Sequence, residues 1–528
     1  MHPVILAHVR CDRGAYDRFV RARVMGLVGL MAMVVVACGV ADSGVTATRR
    51  REAGGGNTGG LFPDTTGVSP NDSTGNTGGN NTGDVRPLSD YQVIPGIVDF
   101  GANKPPQPYD GYVTTAFADM NAFWTETYPE VYGTPFEPLT GGIYAAYPSR
   151  TEPMPGCGRS ESTYEDVYQN AFYCYLTDFI AYDDDAFIPG LVDIGPEAAV
   201  ITLAHEYGHL IQTRGGQGDN PVVIKEQQAD CFAGAWAAHL ASGGSDAIQF
   251  TDASIRIGLV GMINLRDPVD GNALNDPGAH GTGFDRVGAF QDGFEGGAIR
   301  CKTFPDEGRI NKLIDIEWDS SDTNQGNLPL VDPNPDPANG PADIVTLFPN
   351  SLDLFWTDLA QKNGVPFTPP TFTGFPGDGP YPTCSTVTKW KKAVVFCPDD
   401  NVIYWDQDFA LELSTQALTG DLSVGYLFSN AYSDAVQTAL RSKREAEPRA
   451  LFNDCLTGAW VAYLIPPIPA DRVDTLQLSA GDLDEAIITA IGRSDPATDT
   501  NINGSAFEKV DAFRTGVLGG LNVCRDLG

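Results

Sequence analysis

Four blocks of this sequence recur in the same order, and for a chain of 528 residues that repetition restricts the possible folds more than any other feature. Val113-Thr114 through Phe123-Trp124-Thr125, followed by Gly133-Thr134-Pro135-Phe136, is answered by Val345-Thr346 through Phe355-Trp356-Thr357 and Gly364-Val365-Pro366-Phe367. Phe172-Tyr173-Cys174 leading to Ile180-Ala181-Tyr182-Asp183 is answered by Val395-Phe396-Cys397 leading to Val402-Ile403-Tyr404-Trp405-Asp406. Asp230-Cys231 with Gly234-Ala235-Trp236 is matched by Asp454-Cys455 with Gly458-Ala459-Trp460, and Gly281 to Cys301 runs parallel to Gly504 to Cys524 without a gap. A chain of this length also exceeds the size at which one core keeps growing. The expectation is a domain over 89–304 and a second copy over 341–528, joined by a linker over 305–340 rich in Asp, Pro and Asn. With 42% hydrophobic and 10% aromatic residues, both copies can bury a core.

The repeat also pairs the cysteines. Each half carries four at matching places: Cys157, Cys174, Cys231 and Cys301, then Cys384, Cys397, Cys455 and Cys524. The pairing expected is Cys157-Cys174 and Cys231-Cys301, with Cys384-Cys397 and Cys455-Cys524 as counterparts. Zinc-binding thiolates are the alternative, but no C-x-x-C pair exists in the chain.

At the N-terminus five arginines precede an apolar run from Met25 to Ala37, which is too short to span a bilayer and reads as an export signal. Val35-Val36-Ala37-Cys38 resembles the lipobox of bacterial lipoproteins, which implies a signal over 1–38 and a lipid on Cys38. Residues 39–88, rich in Gly, Asn and Thr, have little to bury and read as a flexible tether. The expected location is therefore extracytoplasmic, with the membrane touched only through the lipid anchor. A net charge of −34 argues against nucleic acid as a partner.

Within the first copy, 197–213 has the apolar periodicity of a helix, with Pro196 suited to its first turn and Gly215-Gly216 to its end. On it lies His205-Glu206-Tyr207-Gly208-His209. Residues four apart share a helix face, so His205 and His209 can present both imidazoles to one ion. Glu206 is offset by about 100° and suits a general base acting on water that a metal has activated. A second helix is expected over 222–242, where Glu226 and Asp230 share a face. Glu226 supplies the third ligand, and Asp230 fixes the tautomer of a ligating histidine or serves the fold alone. His280, in His280-Gly281-Thr282, could donate to a tetrahedral intermediate or be an ordinary surface histidine. Strands bordering the cleft are expected from 139–147 and 199–203.

The E-x-x-x-D pair of Glu226 and Asp230 resembles that of thermolysin-type peptidases. Together with His205 to Gln212, Gln228 to Gly234, Phe172-Tyr173-Cys174 and His280-Gly281-Thr282, it makes the chain resemble the bacterial neutral zinc metallopeptidase family over about 110–304. That resemblance implies an α+β, zincin-like, helix-rich fold with a small sheet; the tandem duplication expected from the repeat departs from the family's usual single-domain pattern. It implies Zn2+ held by His205, His209 and Glu226, with Glu206 catalytic.

In the second copy Asn430, Ala431, Asp434 and Ala450 stand opposite His205, Glu206, His209 and Glu226, and no histidine follows His280. One zinc per chain is expected, beside a degenerate copy packed on the first. The leading expectation is a peptidase acting on polypeptides at the cell surface. A non-catalytic zincin-like binding protein and an amidase on peptidoglycan stems are the alternatives, because H-E-x-x-H fixes attack on a carbonyl and not the substrate.

Overall fold

The computed structural model describes residues 44–46, 86–216, 220–268, 279–314, 316, 326–338, 340–416, 418–469, 472–474, 476–494 and 502–525. The expected signal over 1–38, the expected lipidation of Cys38 and nearly all of the expected tether lie outside them. Among the described residues no helix is long and apolar enough to cross a membrane.

The fold is α+β. After the short strand β1 (Gly44–Thr46) come α1 (Asp110–Tyr132), β2 (Ile143–Ala146), the hairpin β3 (Met154–Pro155) and β4 (Glu161–Ser162), and α2 (Tyr164–Val167). Strands β5 (Asn170–Cys174) and β6 (Phe179–Asp183) lead into α3 (Phe187–Val192), α4 (Pro196–Gly215), α5 (Val222–Ala241), α6 (Asp252–Asn264) and α7 (Gly283–Thr303). The second half holds α8 (Ile344–Lys362), β7 (Thr371–Phe375), β8 (Val394–Cys397), β9 (Val402–Asp406) and α9 (Gln407–Thr415). It ends with α10 (Asp421–Ala439), α11 (Ala446–Leu464), α12 (Asp482–Gly492), α13 (Ala506–Gly519) and α14 (Leu521–Cys524).

The two halves use one strand plan. In the first, β6 lies between β2, to which it is parallel, and β5, to which it is antiparallel, with β1 added outside β5. In the second, β9 lies between its parallel neighbour β7 and its antiparallel neighbour β8. The strands are short, and β6 is buried at every position, so alternation is weak and the sheet is hard to read from sequence. Residues 199–203, expected as a strand, instead lie inside α4. Their run Ala-Val-Ile-Thr-Leu is apolar because that helix is buried on all sides, which erases the one-sided stripe that marks a surface helix.

All four expected disulfides form: Cys157–Cys174, Cys231–Cys301, Cys384–Cys397 and Cys455–Cys524. Cys231–Cys301 ties α5 to α7, and Cys455–Cys524 ties α11 to α14. The repeated tryptophans Trp236 and Trp460 are fully buried, each donating its indole N–H back to the long helix that opens its half. Trp236 donates to Asp119 at 2.7 Å and Trp460 to the Ser351 hydroxyl at 3.1 Å.

One hydrophobic core runs through both halves. Phe294 meets Phe507 with ring centroids 4.7 Å apart, Phe284 meets Phe513 at 6.5 Å, and Arg514 lies over the Phe284 ring. The described residues of 305–340 are held to both halves. Arg309 pairs with Asp292 at 3.0 Å, and the Leu328 N–H donates to Asp421 at 2.9 Å.

Candidate metal centre

Helix α4 begins at Pro196, where the missing N–H costs nothing, and is capped after Gly215 by Gly216, whose φ of 74° only glycine adopts freely. It runs through the first half with sixteen consecutive buried residues, Glu197 to Gln212. His205, Glu206 and His209 are therefore exposed by only 0, 0 and 4%. Helix α5 packs across it, and Gly208 permits the approach: a Cβ built there would lie 2.9 Å from the Ala229 backbone. That close crossing carries Glu226 and Asp230 to the two histidines.

His205 Nε2 lies 3.1 Å from both His209 Nε2 and Glu226 Oε2, and His209 Nε2 lies 3.4 Å from Glu226 Oε2. Donors about 2.0–2.1 Å from a tetrahedral ion stand roughly 3.3 Å apart, so this triangle has the dimensions of three zinc ligands. Two imidazoles and a carboxylate are also a donor set that zinc accepts. His205, His209 and Glu226 fit the group.

Around the triangle the outer atoms of the ligands are fixed. Asp230 Oδ1 lies 2.5 Å from His205 Nδ1, and Gln212 Oε1 lies 2.9 Å from His209 Nδ1. Each contact directs the opposite ring nitrogen to the centre of the site. Asp230 is held by a fork from Arg286, Nε to Oδ2 at 2.9 Å and Nη2 to Oδ1 at 2.8 Å. Burial raises the Asp230 carboxyl, but Arg286 and His205 outweigh it and hold it below the ordinary range. For Glu226 burial also raises, while His209 and His280 bring it well below that range, so it stays an anion.

Glu206 is held differently. Its Oε2 accepts the Tyr173 backbone N–H from β5 at 3.0 Å, whereas Oε1 is buried with no hydrogen-bond partner. Burial pushes this carboxyl up to about 8, against the lowering by His209. One oxygen is anchored and the other can take a proton.

His280 reaches the same place. Its Nε2 is 3.8 Å from Glu226 Oε2, and its Nδ1 is 3.2 Å from Asp267 Oδ1. Asp267 Oδ2 also accepts the backbone N–H groups of His280 and Gly281, both at 2.7 Å. His239, by contrast, packs against Phe123 with ring centroids 4.9 Å apart and the rings tilted by 42°.

Four contributors escaped the sequence reading: Arg286, Asp267, Gln212 and the Tyr173 N–H. For Arg286 a signal existed. The gapless block places Lys509 opposite it, and Lys509 Nζ lies 2.5 Å from Asp454, the counterpart of Asp230. In the second half Asn430 donates to Asp454 at 2.7 Å, standing where His205 stands in the first. Asp434, opposite His209, pairs with Arg449 at 2.6 Å.

The family model described as "Putative neutral zinc metallopeptidase" matches residues 109–304. The chain belongs to this family. That zinc metallopeptidase segment contains every residue of the triangle together with Glu206, Asp230 and His280. Among its relatives are the uncharacterized proteins Mb2605 of Mycobacterium bovis and Rv2575 of Mycobacterium tuberculosis. Each is 30% identical over 203 residues, covering 33% of this chain and 67% of the relative. The uncharacterized protein YpfJ of Escherichia coli is 28% identical over 170 residues, covering 28% of this chain and 57% of its own length. No solved structure matches the chain.

Proposed function

We propose that this chain is a zinc-dependent peptidase with one metal per chain, held by His205, His209 and Glu226, and with Glu206 as general base. The observation that carries the reading is the asymmetric environment of Glu206, one oxygen anchored by Tyr173 and the other buried and unpartnered beside the triangle. A closed structural zinc site has four protein ligands and no use for such a group.

Zinc bound there supplies Lewis acidity and activates water near neutral pH. Glu206 Oε1 takes the proton from the attacking water and passes it to the leaving amine. His280 Nε2, facing Glu226, donates to the oxygen that becomes negative as a carbonyl is attacked. The Asp230 and Arg286 pair keeps His205 oriented throughout.

The second half is proposed as a duplicate that has lost this chemistry and serves as a pseudo-dimer partner. Gln291 and Arg514 hold the same place in the repeated block, and they touch each other, Arg514 Nη1 to Gln291 Oε1 at 3.3 Å. A residue meeting its own counterpart is what a two-fold relation places on its axis. Export and lipid anchoring through Cys38 belong to the same proposal and place the substrate polypeptides outside the cytoplasmic membrane.

The test is metal analysis with Glu206→Gln. Wild type and variant should each hold about one zinc per chain, and only wild type should cleave an unfolded polypeptide. Equal cleavage by the variant would overturn the assignment.

A further inference from the structure

We infer that the second half holds a divalent cation of the calcium class between Asp421, Asp482 and Glu485. Each of these presents a carboxylate oxygen within 4.8 Å of the other two, and the residues are only 3, 5 and 9% exposed. Oxygen ligands at roughly 2.3–2.6 Å give a calcium shell about 5 Å across, so all three oxygens fit one shell.

Two further observations point to a ligand. Asp421 Oδ2 accepts the Leu328 N–H at 2.9 Å, but Asp421 Oδ1 is buried with no hydrogen-bond partner. Among the described residues, moreover, none of the three forms an ion pair with a lysine or arginine; the nearby Arg266 is engaged by Asp484 at 2.8 Å. Uncompensated buried carboxylates cost several kcal/mol each. Burial first, and then the neighbouring carboxylates, hold Asp482 and Glu485 well above the ordinary carboxyl range. An oxygen-ligated dication removes that penalty and occupies Asp421 Oδ1.

The remaining oxygens are fixed for it. Asp482 accepts from the Ser479 N–H and hydroxyl at 2.8 and 2.7 Å, and Glu485 Oε2 accepts the Leu422 N–H at 3.1 Å. Asn327 Oδ1 accepts the Asp421 N–H at 3.1 Å. A Cβ built on Gly420 would lie 2.0 Å from Asn327 Oδ1 and 2.2 Å from Glu485 Oε1, so glycine there lets the two oxygens converge. The first half places a single carboxylate at the matching helix start, Glu197, satisfied in part by the Ser254 hydroxyl at 3.1 Å.

A cation here would brace the start of α10 and of α12 and, through the intervening Asp484, the contact to Phe284 beside the His280 loop. The test uses the full chain after chelation and restoration of zinc, with calcium as the probe in equilibrium dialysis and thermal unfolding. Wild type should bind about one calcium per chain and melt about 2–5 °C higher at saturating calcium. Asp482→Asn and Glu485→Gln should lose both responses and keep the zinc. These neutral amides replace charges that the fold disfavours, so the variants should still fold. Wild type that retains no calcium at millimolar concentration with an unmoved melting temperature, or variants that bind like wild type, would overturn the proposal. The wild-type measurement alone decides the matter if a variant fails to fold.

Discussion

Asp484, deep in the second half, accepts the Phe284 backbone N–H at 2.8 Å, capping the first turn of α7 from a position 200 residues away. Its other oxygen pairs with Arg266 at 2.8 Å, next to the Asp267 that holds His280. The second half thus contacts the two segments that flank the His280 loop.

Asp484→Ala should therefore destabilise the protein and disturb the His280 loop together. Removing the carboxylate leaves a guanidinium and a buried N–H without their acceptor, worth about 2–3 kcal/mol. Asp484→Asn keeps an oxygen for Phe284 and should lose about half as much. Urea unfolding measures both; a value near zero for alanine would mean that the contact is not maintained in solution.

His280→Ala should leave zinc content unchanged, because His280 is not one of the three converging donors. Loss of one donor to a developing oxyanion costs about 100-fold in kcat. Steady-state kinetics with zinc analysis checks this, and a kcat within twofold of wild type would reduce His280 to a packing residue.

The fully buried pair of Arg286 and Asp230 predicts a graded series. Arg286→Met leaves the buried Asp230 anion with the His205 imidazole alone to oppose its charge, at a cost of about 3–5 kcal/mol. Arg286→Lys should be milder, since Lys509 already serves Asp454 in that way. Denaturant midpoints should rank wild type, lysine, methionine; methionine equal to wild type would show that the pair adds nothing.

Cys231–Cys301 closes a separation of 70 residues, so replacing both cysteines by alanine should cost about 4 kcal/mol through the freedom restored to the unfolded chain. The 17-residue separation of Cys157–Cys174 should be worth about 1 kcal/mol less. Comparing the two double variants in urea tests the ranking.

Lys104 is shared between Asp110 and Asp184, at 2.7 and 2.8 Å. Burial pushes the Asp184 carboxyl from 3.8 up to about 7, and Lys104 only partly opposes it. The folded protein therefore binds this proton more tightly than the unfolded chain does. The resulting stability is full below about pH 4 and is lost as pH rises toward 7. Asp184→Asn should flatten that part of the pH–stability profile; an unchanged slope between pH 4 and 7 would show that Asp184 is ionised throughout.

The sequence alone determined what depends on spacing along the chain. The four-residue interval of His205 and His209, and that of Glu226 and Asp230, follow from helical periodicity, and the matched cysteines yielded four correct disulfides because each half repeats the other's order. The strands were mostly hidden, since they are at most five residues long and, in β6, burial on both faces removes the alternation that marks a strand. Only the tertiary structure decided which distant groups complete the site. Tyr173 presents a backbone N–H that no side-chain pattern records, Arg286 lies 56 residues from Asp230, and Asp484 lies 200 from Phe284. Local periodicity constrains neighbours within a few turns of one helix, whereas these contacts are set by how helices cross once the core is closed.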